Sequence, residues 1–341
     1  MSASGPYRIV VAEPFQAAAL DRLKPYGEVR ELPDSSPQTL LDALSEADAL
    51  LVRSRTHVTA RIIEAAPKLK VIGRASASCD HIDLRVAKQR QIGVVYAPAA
   101  ATRSLIEFTV AMILASQRRL LFFDRRLRSG EFASLRQPHA RELSRQTLGL
   151  LGVNAAGEGV GRIMAEGFGC RVVFHDPTGG RPAELRIDEV SFDELLKKSD
   201  VVSVHLPLRP STRQILNAER LGLMSPEAVL VNSCRGGLVD TEALAAGLKE
   251  GRLGGAALDV FETEPLPLNH PLRNAPNCVL TPHIGSVTRD SDEAVFDVVD
   301  DVIRVLKGEL PRYPVLSDGD GDSVVRETKP KAQTSTVGAG G

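Results

Sequence analysis

The chain of 341 residues is about two domains long, since compact domains average ~150 residues, and each domain could bury a hydrophobic core. Its 42 lysine and arginine residues nearly balance its 43 aspartate and glutamate residues. No overall charge therefore points to nucleic acid or to an anionic membrane surface. The expected partner is a small molecule or another protein.

The four cysteines, Cys79, Cys170, Cys234 and Cys278, are widely spaced and include no C-x-x-C pair. This spacing favours neither a disulfide framework nor a zinc site, so no metal is predicted. The stretch MSASGPYRIVVAE has no basic region followed by a long apolar run, and no apolar stretch approaches the ~18 residues of a membrane span. The sequence predicts a soluble, cytoplasmic protein.

Short β-branched runs alternate with helical patterns over the first hundred residues. The runs are apolar on both faces, and they read YRIVVAE, DALLVRS, KVIGRAS and IGVVYAP. Strands that are buried on both faces and joined by helices are typical of a parallel sheet. This part of the chain is therefore predicted to form an α/β layer structure.

Residues 104–123, SLIEFTVAMILASQRRLLFF, are predicted to form one long apolar helix that crosses between domains. After the polar segment 125–146 the strand and helix alternation restarts at TLGLLGV and continues to NCVLTPH. This alternation is typical of a doubly wound sheet. The predicted fold class is α/β, with two doubly wound parallel-sheet domains of Rossmann or flavodoxin type.

A final helix is predicted over SDEAVFDVVDDVIRVLKGE, because its apolar residues follow a 3.6-residue period. The stripe comprises Val295, Val298, Val299, Val302, Ile303 and Leu306. If this helix returns to the first domain, that domain is discontinuous and consists of residues 1–101 and 287–316. Residues 317–341 are rich in Gly, Asp, Lys, Ser and Thr, which predicts a disordered tail.

The stretch GVNAAGEGVGR, residues 152–162, has the context of a dinucleotide-binding loop. A strand leads to Gly152, and the next residues begin a helix whose N–H groups would face a pyrophosphate. Asp176 ends the following strand, 24 positions after Gly152, where an acid would hold the adenosine ribose. An acid disfavours a 2′-phosphate, so the predicted cofactor is NAD, held by Gly152, Asn154, Gly157 and Asp176.

Two residues of this loop depart from the G-x-G-x-x-G pattern. Asn154 replaces the glycine that lets the backbone approach the phosphates, although asparagine tolerates left-handed conformations. Glu158 lies near the first helical turn, where its charge either stabilises the helix or repels a pyrophosphate. Cofactor binding could therefore be weak, altered or absent.

Three further segments, NSCRGGLVD, ALDVFETEP and TPHIGS, each follow a predicted strand. Arg235, Glu264 and His283 could therefore converge at one edge of the sheet, where open α/β folds bind ligands. Arginine would bind the carboxylate of a 2-oxo acid, histidine would donate a proton, and glutamate would orient the imidazole. Each alone could instead be a surface ion pair, a solvated loop residue or a strand-end histidine. Their order along the chain favours a hydride-transfer site.

Long segments of the chain resemble the D-isomer-specific 2-hydroxyacid dehydrogenases, most closely their D-3-phosphoglycerate dehydrogenase branch. The resemblance extends from about residue 7 to 315, and its most specific segments are LLVRSRTHVTARIIEAAPKLKVIGRA, HLPLRPSTRQIL, VNSCRGGLVDTEAL, GGAALDVFETEPLPLNHPL and TPHIGSVT. It implies NAD-dependent hydride transfer at C2 of a D-2-hydroxy acid or 2-oxo acid. It also implies an NAD-binding domain over 102–286, a substrate-binding domain from the remaining ordered residues, and a homodimer formed through the arm before Gln146. No C-terminal regulatory domain is expected.

The resemblance assigns roles to individual residues. Arg235, Glu264 and His283 match the family's catalytic residues, and Asp259 matches the aspartate that contacts the nicotinamide amide. Further cofactor-cleft residues by the same match are His205, Pro207, Ser233 and Cys234. The implied substrate-site residues are Arg53, Arg74, Ser76, Ala77 and Ser78.

The chain also departs from the family in three places. Ser76 and Ser78 stand in the glycine positions of the substrate loop, where His81 replaces a common asparagine, and serine side chains would narrow the pocket. Ala100 and Ala101 replace a common Gly–Asn pair. The nucleotide loop is expected to be one residue longer before its helix.

Two functions remain open from the sequence. The intact trio Arg235, Glu264 and His283 favours a working dehydrogenase whose remodelled pocket selects a D-2-hydroxy acid other than phosphoglycerate. The altered loops favour a catalytically inactive relative that acts as a binding or regulatory scaffold, as in a co-repressor branch of the family. A third possibility is an active enzyme whose nucleotide loop holds a different nucleotide.

Overall fold

A computed structural model describes residues 7–53, 55–76, 79, 81–97, 101–136, 140–289 and 294–315. The chain divides into two compact units. Unit 1 consists of the residues up to 100 and those from 288 onward, and unit 2 consists of residues 101–287. The predicted tail, residues 317–341, lies outside the described residues.

Unit 1 is built on a five-stranded parallel sheet. Its strands are β1 (Tyr7–Val11), β2 (Gly27–Glu31), β3 (Ala49–Val52), β4 (Val71–Arg74) and β5 (Gly93–Tyr96). They lie in the order β2-β1-β3-β4-β5, which is the flavodoxin-like arrangement of a doubly wound fold. The helices from the first part of the chain are α1 (Ala17–Leu23), α2 (Pro37–Leu44), α3 (Ala60–Glu64) and α4 (Leu84–Gln89).

The sequence pattern missed two elements of unit 1, β2 and α2. The strand β2 reads GEVRE and lies at the edge of the sheet, where most of its side chains are exposed or half-buried. It therefore lacks the continuous apolar run that identifies central strands such as β3, all four of whose residues are buried. The helix α2 begins at Pro37 with Ser36 as its N-cap, a start signal that the prediction did not use.

The last helix, α11 (Ala294–Leu306), belongs to unit 1, which is therefore discontinuous. Each residue of the predicted stripe is buried, and the stripe packs against Ile9, Val11 and neighbouring apolar residues. A Cβ on Gly73 of β4 would lie 2.6 Å from Val302 and 2.9 Å from Val298. The small glycine thus lets α11 lie directly on the sheet.

Unit 2 contains a seven-stranded parallel sheet. Its strands are β6 (Thr147–Leu151), β7 (Arg171–His175), β8 (Asp188–Glu189), β9 (Val201–Val204), β10 (Val229–Asn232), β11 (Gly255–Leu258) and β12 (Cys278–Leu280). The strand order is β12-β11-β10-β9-β6-β7-β8. The strands that follow β6 in the chain lie first on one side of it, as β7 and β8, and then on the other side from β9 onward. This is the Rossmann order with one added strand, and ligands bind at such a switch point. The predicted α/β fold class is confirmed.

The helices of unit 2 are α5 (Thr102–Gln117), α6 (Leu120–Arg128), α7 (Ala155–Arg162), α8 (Phe192–Lys198), α9 (Ala218–Leu221) and α10 (Thr241–Lys249). The prediction of one helix over 104–123 was wrong, because α5 ends and α6 begins around Arg119. Arg119 has a φ of 49°, which is outside the helical region, and its side chain donates to Asn277. Hydrophobic periodicity continued through this break and concealed it.

Candidate active site

The glycine loop begins directly after β6. Gly152 has a φ of +90°, and a Cβ at this position would lie 2.8 Å from the backbone of His205 and Leu206. A Cβ on Gly157 would lie 2.8 Å from the His205 ring, so the start of α7 packs closely on the end of β9. The first and third glycines of the fingerprint therefore keep their steric functions.

Asn154 serves as the N-cap of α7. Its backbone is extended, with a φ of −83° and a ψ of 177°, and its Oδ1 accepts the N–H of Gly157 at 2.9 Å. The left-handed conformation that asparagine tolerates is not used here. By helix geometry, the N–H groups of Ala155 and Ala156 have no acceptor within the helix, so they can bind an anion. The side chain of Asn154 thus folds back onto the helix end.

The glycine spacing bears on the extra residue expected before this helix. Asn154 lies two positions after Gly152 and three before Gly157, so the ordinary G-x-G-x-x-G spacing is kept. Instead, α7 continues into a π-helical turn over Ile163–Gly167. A single π turn within a helix accommodates an additional residue. This π-helical turn lies at the C-terminal end of α7, away from the loop, and the extra residue expected before α7 stays a prediction.

Asp176 lies beside the glycine turn, at the end of β7. Its Oδ2 accepts the N–H of Val153 at 3.0 Å, and its Oδ1 accepts the N–H and the hydroxyl of Thr178 at 2.8 Å and 2.6 Å. A Cβ on Gly180 would lie 2.3 Å from this carboxylate. The glycine turn, the N–H groups of the helix and Asp176 together fit an adenosine-containing dinucleotide.

Glu158 does not aim its carboxylate at the loop. Its oxygens accept the backbone N–H groups of Ala183, Glu184 and Leu185 at 3.1, 2.6 and 2.7 Å. Burial raises the pKa of this carboxyl, but the three donors and Arg162 outweigh burial, and the pKa lies below its ordinary value. The alternative of a charge directed at a pyrophosphate is therefore not what the structure shows.

The other residues predicted to line the cofactor cleft occupy different environments. His205 is buried, its Nε2 lies 2.9 Å from the Ser203 hydroxyl, and burial lowers its pKa to about 4, so it is neutral at neutral pH. Pro207 is exposed. The Ser233 hydroxyl lies 2.6 Å from that of Thr109 on α5. His205 and Ser233 thus support the loops through packing and hydrogen bonds.

Cys234 contacts the end of a neighbouring strand through its thiol. Its Sγ donates to the carbonyl of Leu206 at 3.1 Å. Two other thiols in unit 2 are shielded from ionisation, because burial raises the pKa of Cys170 to about 11 and that of Cys278 to about 12. Thiolate chemistry is therefore not expected at Cys170 or Cys278.

The predicted catalytic trio lies beyond the carboxyl ends of three adjacent strands. Strands β10, β11 and β12 pair in parallel, with Asn232 opposite Leu258 and Leu258 opposite Leu280. Arg235 follows β10 by three residues and His283 follows β12 by three residues, while Glu264 lies in the loop after β11. The strand ends thus bring the three segments to one edge of the sheet.

Direct contacts join the three segments. The Nδ1 of His283 lies 2.8 Å from Oε2 of Glu264, and Oε1 of the same carboxylate accepts the N–H of Phe261 at 3.0 Å. A Cβ on Gly236 would lie 1.9 Å from the carbonyl carbon of Phe261. The turn that carries Arg235 therefore packs on the loop that carries Glu264, which in turn holds His283.

A buried asparagine shapes the Arg235 turn. Asn232 is fully buried, its Oδ1 accepts the N–H of Cys234 at 3.0 Å, and its Nδ2 donates to the carbonyl of Arg235 at 2.9 Å. The Arg235 guanidinium donates to the carbonyl of Cys234 at 2.7 Å. Sequence reasoning missed Asn232, although a polar residue at the end of an apolar strand was the available signal.

Asp259 fixes the loop that carries His283. Its side chain is buried and accepts three hydrogen bonds, from the Thr281 hydroxyl at 2.6 Å, the N–H of Ile284 at 2.9 Å and the N–H of Gly285 at 2.8 Å. Its carbonyl also accepts the N–H of His283 at 2.8 Å. His283 has a φ of 56°, so the surrounding contacts hold it in a left-handed conformation.

In unit 1, a buried carboxylate organises the loop after β3. Glu13 is 5% exposed, and its oxygens accept the N–H groups of Arg53 and Thr56 at 2.9 and 3.0 Å and the Thr56 hydroxyl at 2.7 Å. The Nε of Arg55 donates to the same carboxylate at 3.3 Å. Sequence reasoning missed Glu13, although an acid two residues after the apolar strand β1 was the available signal.

The remaining predicted substrate residues lie after β4 or at its end. Arg74 is buried, with 2% of its surface exposed. Ser76 is half-buried, and its carbonyl accepts the N–H of Ala97 at 3.2 Å. Ala77 and Ser78 lie outside the described residues.

The described ranges contain neither a metal cluster nor a membrane-spanning helix. Within them, no group of three or more His, Cys, Asp and Glu side chains could hold a metal ion. No helix in these ranges has both the length and the apolar composition needed to cross a membrane.

The fold and this strand-edge site define a dinucleotide-binding oxidoreductase class, and comparison with known proteins identifies the family. Residues 110–285 match the model of the D-isomer specific 2-hydroxyacid dehydrogenase, NAD binding domain. The chain belongs to the D-isomer-specific 2-hydroxyacid dehydrogenases, which confirms the predicted family and the NAD cofactor.

Individual relatives agree with this membership. The glyoxylate reductase of Thermofilum pendens is 40% identical, and the match covers 81% of this chain and 83% of that protein. The D-3-phosphoglycerate dehydrogenase of Methanocaldococcus jannaschii is 39% identical over 89% of this chain. This chain spans only 58% of that longer protein. The structure of the TT0316 protein from Thermus thermophilus superimposes with a TM-score of 0.84 at 38% identity, covering 91% of this chain and all of that one.

Proposed function

We propose that the chain catalyses NAD-dependent hydride transfer at C2 of a D-2-hydroxy acid or 2-oxo acid. Unit 2 binds the cofactor and carries the catalytic residues Arg235, Glu264 and His283. The observation that carries this proposal is the 2.8 Å contact between Nδ1 of His283 and the Glu264 carboxylate, on a loop joined to the turn of Arg235. This is the arrangement of a proton donor held by a carboxylate and accompanied by a cation.

His283 is the residue that exchanges the proton. Because Glu264 accepts a hydrogen bond from Nδ1, the protonated imidazole is held with its Nε2–H available to a substrate oxygen. During reduction of a 2-oxo acid, Nε2 gives its proton to the carbonyl oxygen, and during oxidation it takes the hydroxyl proton. Bound NADH or NAD supplies or accepts the hydride.

Arg235 orients the substrate. Its guanidinium can donate two parallel hydrogen bonds to a carboxylate, and its charge stabilises the negative charge that develops on the C2 oxygen. The backbone of its turn is fixed by Asn232 through two hydrogen bonds. A fixed turn reduces the entropy that is lost when the substrate binds.

The substrate is proposed to carry a second anionic group, as 3-phosphoglycerate does. Arg53, Arg55 and the buried Arg74 all follow or end central strands of unit 1. Guanidinium groups suit phosphate and carboxylate ligands. The serine at position 76, where the family resemblance implies glycine, adds side-chain volume and supports a remodelled pocket.

The test combines cofactor binding with a substrate screen. Calorimetric titration with NADH should give a dissociation constant in the micromolar range, and the loss of NADH absorbance should then identify active 2-oxo acids. We expect 3-phosphohydroxypyruvate to react with a higher kcat/KM than glyoxylate. NADH binding without turnover of any 2-oxo acid would contradict the proposed activity and favour the scaffold alternative.

We further propose that the chain forms a homodimer through α6 and the segment after it. No residue of α6 is buried, although the helix contains several large apolar side chains. The exposed set comprises Leu120, Leu121, Phe122, Leu127 and Phe132, and their exposed fractions run from 37% to 64%. Apolar surface of this extent commonly marks a protein interface.

Light scattering after size-exclusion chromatography tests this proposal. The unsubstituted chain should have the mass of two copies, and Leu127→Asp should have the mass of one. Leu268→Asp is the matched control, because Leu268 is a 90% exposed leucine elsewhere in unit 2. A monomeric unsubstituted chain would refute the dimer. The absence of nucleic-acid partners and the cytoplasmic location stay predictions.

A further inference from the structure

Glu158 joins two segments that border the nucleotide region of unit 2. It belongs to the first turn of α7, and its carboxylate accepts the N–H groups of three consecutive residues, Ala183, Glu184 and Leu185. Three successive N–H groups directed at one anion form a backbone nest. Only 12% of the Glu158 side chain is exposed, so this anion is an internal part of the fold.

The segment bound by Glu158 is the end of the loop that starts at Asp176. At its first residues, Asp176 accepts hydrogen bonds from Thr178, and a Cβ on Gly180 would lie 2.3 Å from the same carboxylate. At its far end, the loop is attached to α7 by Glu158. The loop over residues 177–185 is thus fixed at both ends by carboxylates.

Two further contacts strengthen the attachment to α7. A Cβ on Gly161 would lie 2.8 Å from Leu185, which shows that this leucine packs directly on the helix. Arg162 lies 3.2 Å from the Glu184 carboxylate and 3.9 Å from that of Glu158. The arginine therefore neutralises part of the negative charge that the loop and helix bring together.

We infer that Glu158 is a positioning residue for the adenosine half of the cofactor, because it fixes the loop that follows the ribose-binding acid Asp176. This inference rests on the proposed cofactor role of unit 2. A loop that is already ordered loses less entropy when a ligand binds, so the nest increases affinity without touching the ligand. The opposite inference, repulsion of the pyrophosphate by Glu158, predicts that removing the charge increases affinity.

The test compares ligands with and without adenosine. NADH and ADP-ribose contain the adenosine group, whereas reduced nicotinamide mononucleotide lacks it. For Glu158→Ala we expect the dissociation constants of NADH and ADP-ribose to rise about tenfold, and that of the mononucleotide to stay within about twofold. The dissociation constants of Glu158→Gln should lie between those of the unsubstituted protein and those of Glu158→Ala. The Gln amide oxygen can still accept from the N–H groups of Glu184 and Leu185, but its NH2 group faces the N–H of Ala183.

Glu166→Gln is the matched control variant. Glu166 lies in the continuation of the same helix, is exposed and loses the same charge on substitution. It should leave all three dissociation constants unchanged, which separates the local hydrogen bonds from the net charge. Hydrogen exchange of the 183–185 amides in the protein without ligand should accelerate in Glu158→Ala and not in Glu166→Gln.

The outcomes distinguish a failure of the proposed cofactor role from a failure of the proposed role of Glu158. If the unsubstituted protein binds neither NADH nor ADP-ribose, the proposed cofactor role fails, and the role of Glu158 fails with it. If it binds both and Glu158→Gln binds them equally well or more tightly, only the positioning role is overturned. If Glu158→Ala weakens the binding of the mononucleotide as much as that of NADH, the positioning role is also overturned, because a general structural defect would then explain the loss.

Discussion

Replacing Asp259 with asparagine should disorder the loop that carries His283. Asp259 is 1% exposed, and its carboxylate accepts hydrogen bonds from Thr281, Ile284 and Gly285. Two of these reach Oδ1 and one reaches Oδ2. An amide side chain has only one acceptor atom, so either one or two buried donors would face its NH2 group.

The magnitude follows from this count. A hydrogen bond to a charged group contributes about 1.5–3 kcal/mol, and a buried donor left without an acceptor costs about 1–3 kcal/mol. With the amide oxygen in the Oδ1 position, Asp259→Asn loses the bond from Gly285 and weakens the other two, which gives about 3 kcal/mol of lost unfolding free energy. Thr281→Val removes a single donor and should cost about 1.5 kcal/mol.

Urea unfolding followed by circular dichroism measures both losses, and steady-state kinetics measures the effect on turnover. Asp240→Asn is a suitable control, because Asp240 is the N-cap of α10 and asparagine caps helices equally well. It should change the unfolding free energy by less than about 0.5 kcal/mol. An Asp259→Asn variant that is as stable as this control, with unchanged kcat, would refute the reasoning.

Four shorter predictions concern other residues. His283→Ala should lower kcat by about 10²–10⁴-fold and leave the dissociation constant of NADH unchanged in calorimetry; unchanged turnover would exclude its acid and base role. Asn154→Gly should change NADH affinity by less than about threefold, because the asparagine folds back as a helix cap that glycine replaces at little cost. Tenfold tighter binding would show that Asn154 obstructs the cofactor. Gly152→Ala should abolish NADH binding in the same titration, since its φ is +90° and its Cβ would lie 2.8 Å from backbone atoms; normal binding would contradict this. Burial raises the pKa of Glu13, but hydrogen bonds from Thr56 and its neighbours lower it below 4.5. The stabilisation relative to Glu13→Gln should therefore be complete above that pH and be lost as the pH falls further, as urea unfolding at several pH values can check.

The strands and the chemical residues of the site could be predicted because each left a local pattern. Central strands such as β3 are continuous apolar runs, and the final helix α11 carries its stripe at a 3.6-residue period. Arg235 and His283 each stand three residues after an apolar strand, which suffices to place them at a sheet edge. Edge elements such as β2 leave no such pattern, because their residues are exposed or half-buried and so need not be apolar.

Backbone geometry decided the features that the sequence left open. The break at Arg119 and the π-helical turn at Ile163–Gly167 depend on local hydrogen bonds that apolar periodicity does not record. The extra residue expected before α7 stays a prediction. Asn154 and Glu158 also could not be interpreted from their positions, since their effect depends on where each side chain points.

The sequence alone determined the fold class and the identity of the candidate acid, cation and carboxylate, because these follow from periodicity and from residue types at strand ends. The family followed from the resemblance of long, specific segments of the chain. Only the tertiary structure decided what holds them in place. Glu13 binds the backbone N–H of Arg53, 40 positions away, and Asp259 binds those of Ile284 and Gly285, 25 and 26 positions away. Glu158 binds a segment 25 to 27 positions away. Hydrogen bonds over such separations form only when the chain has folded, so they leave no periodic signal in the sequence.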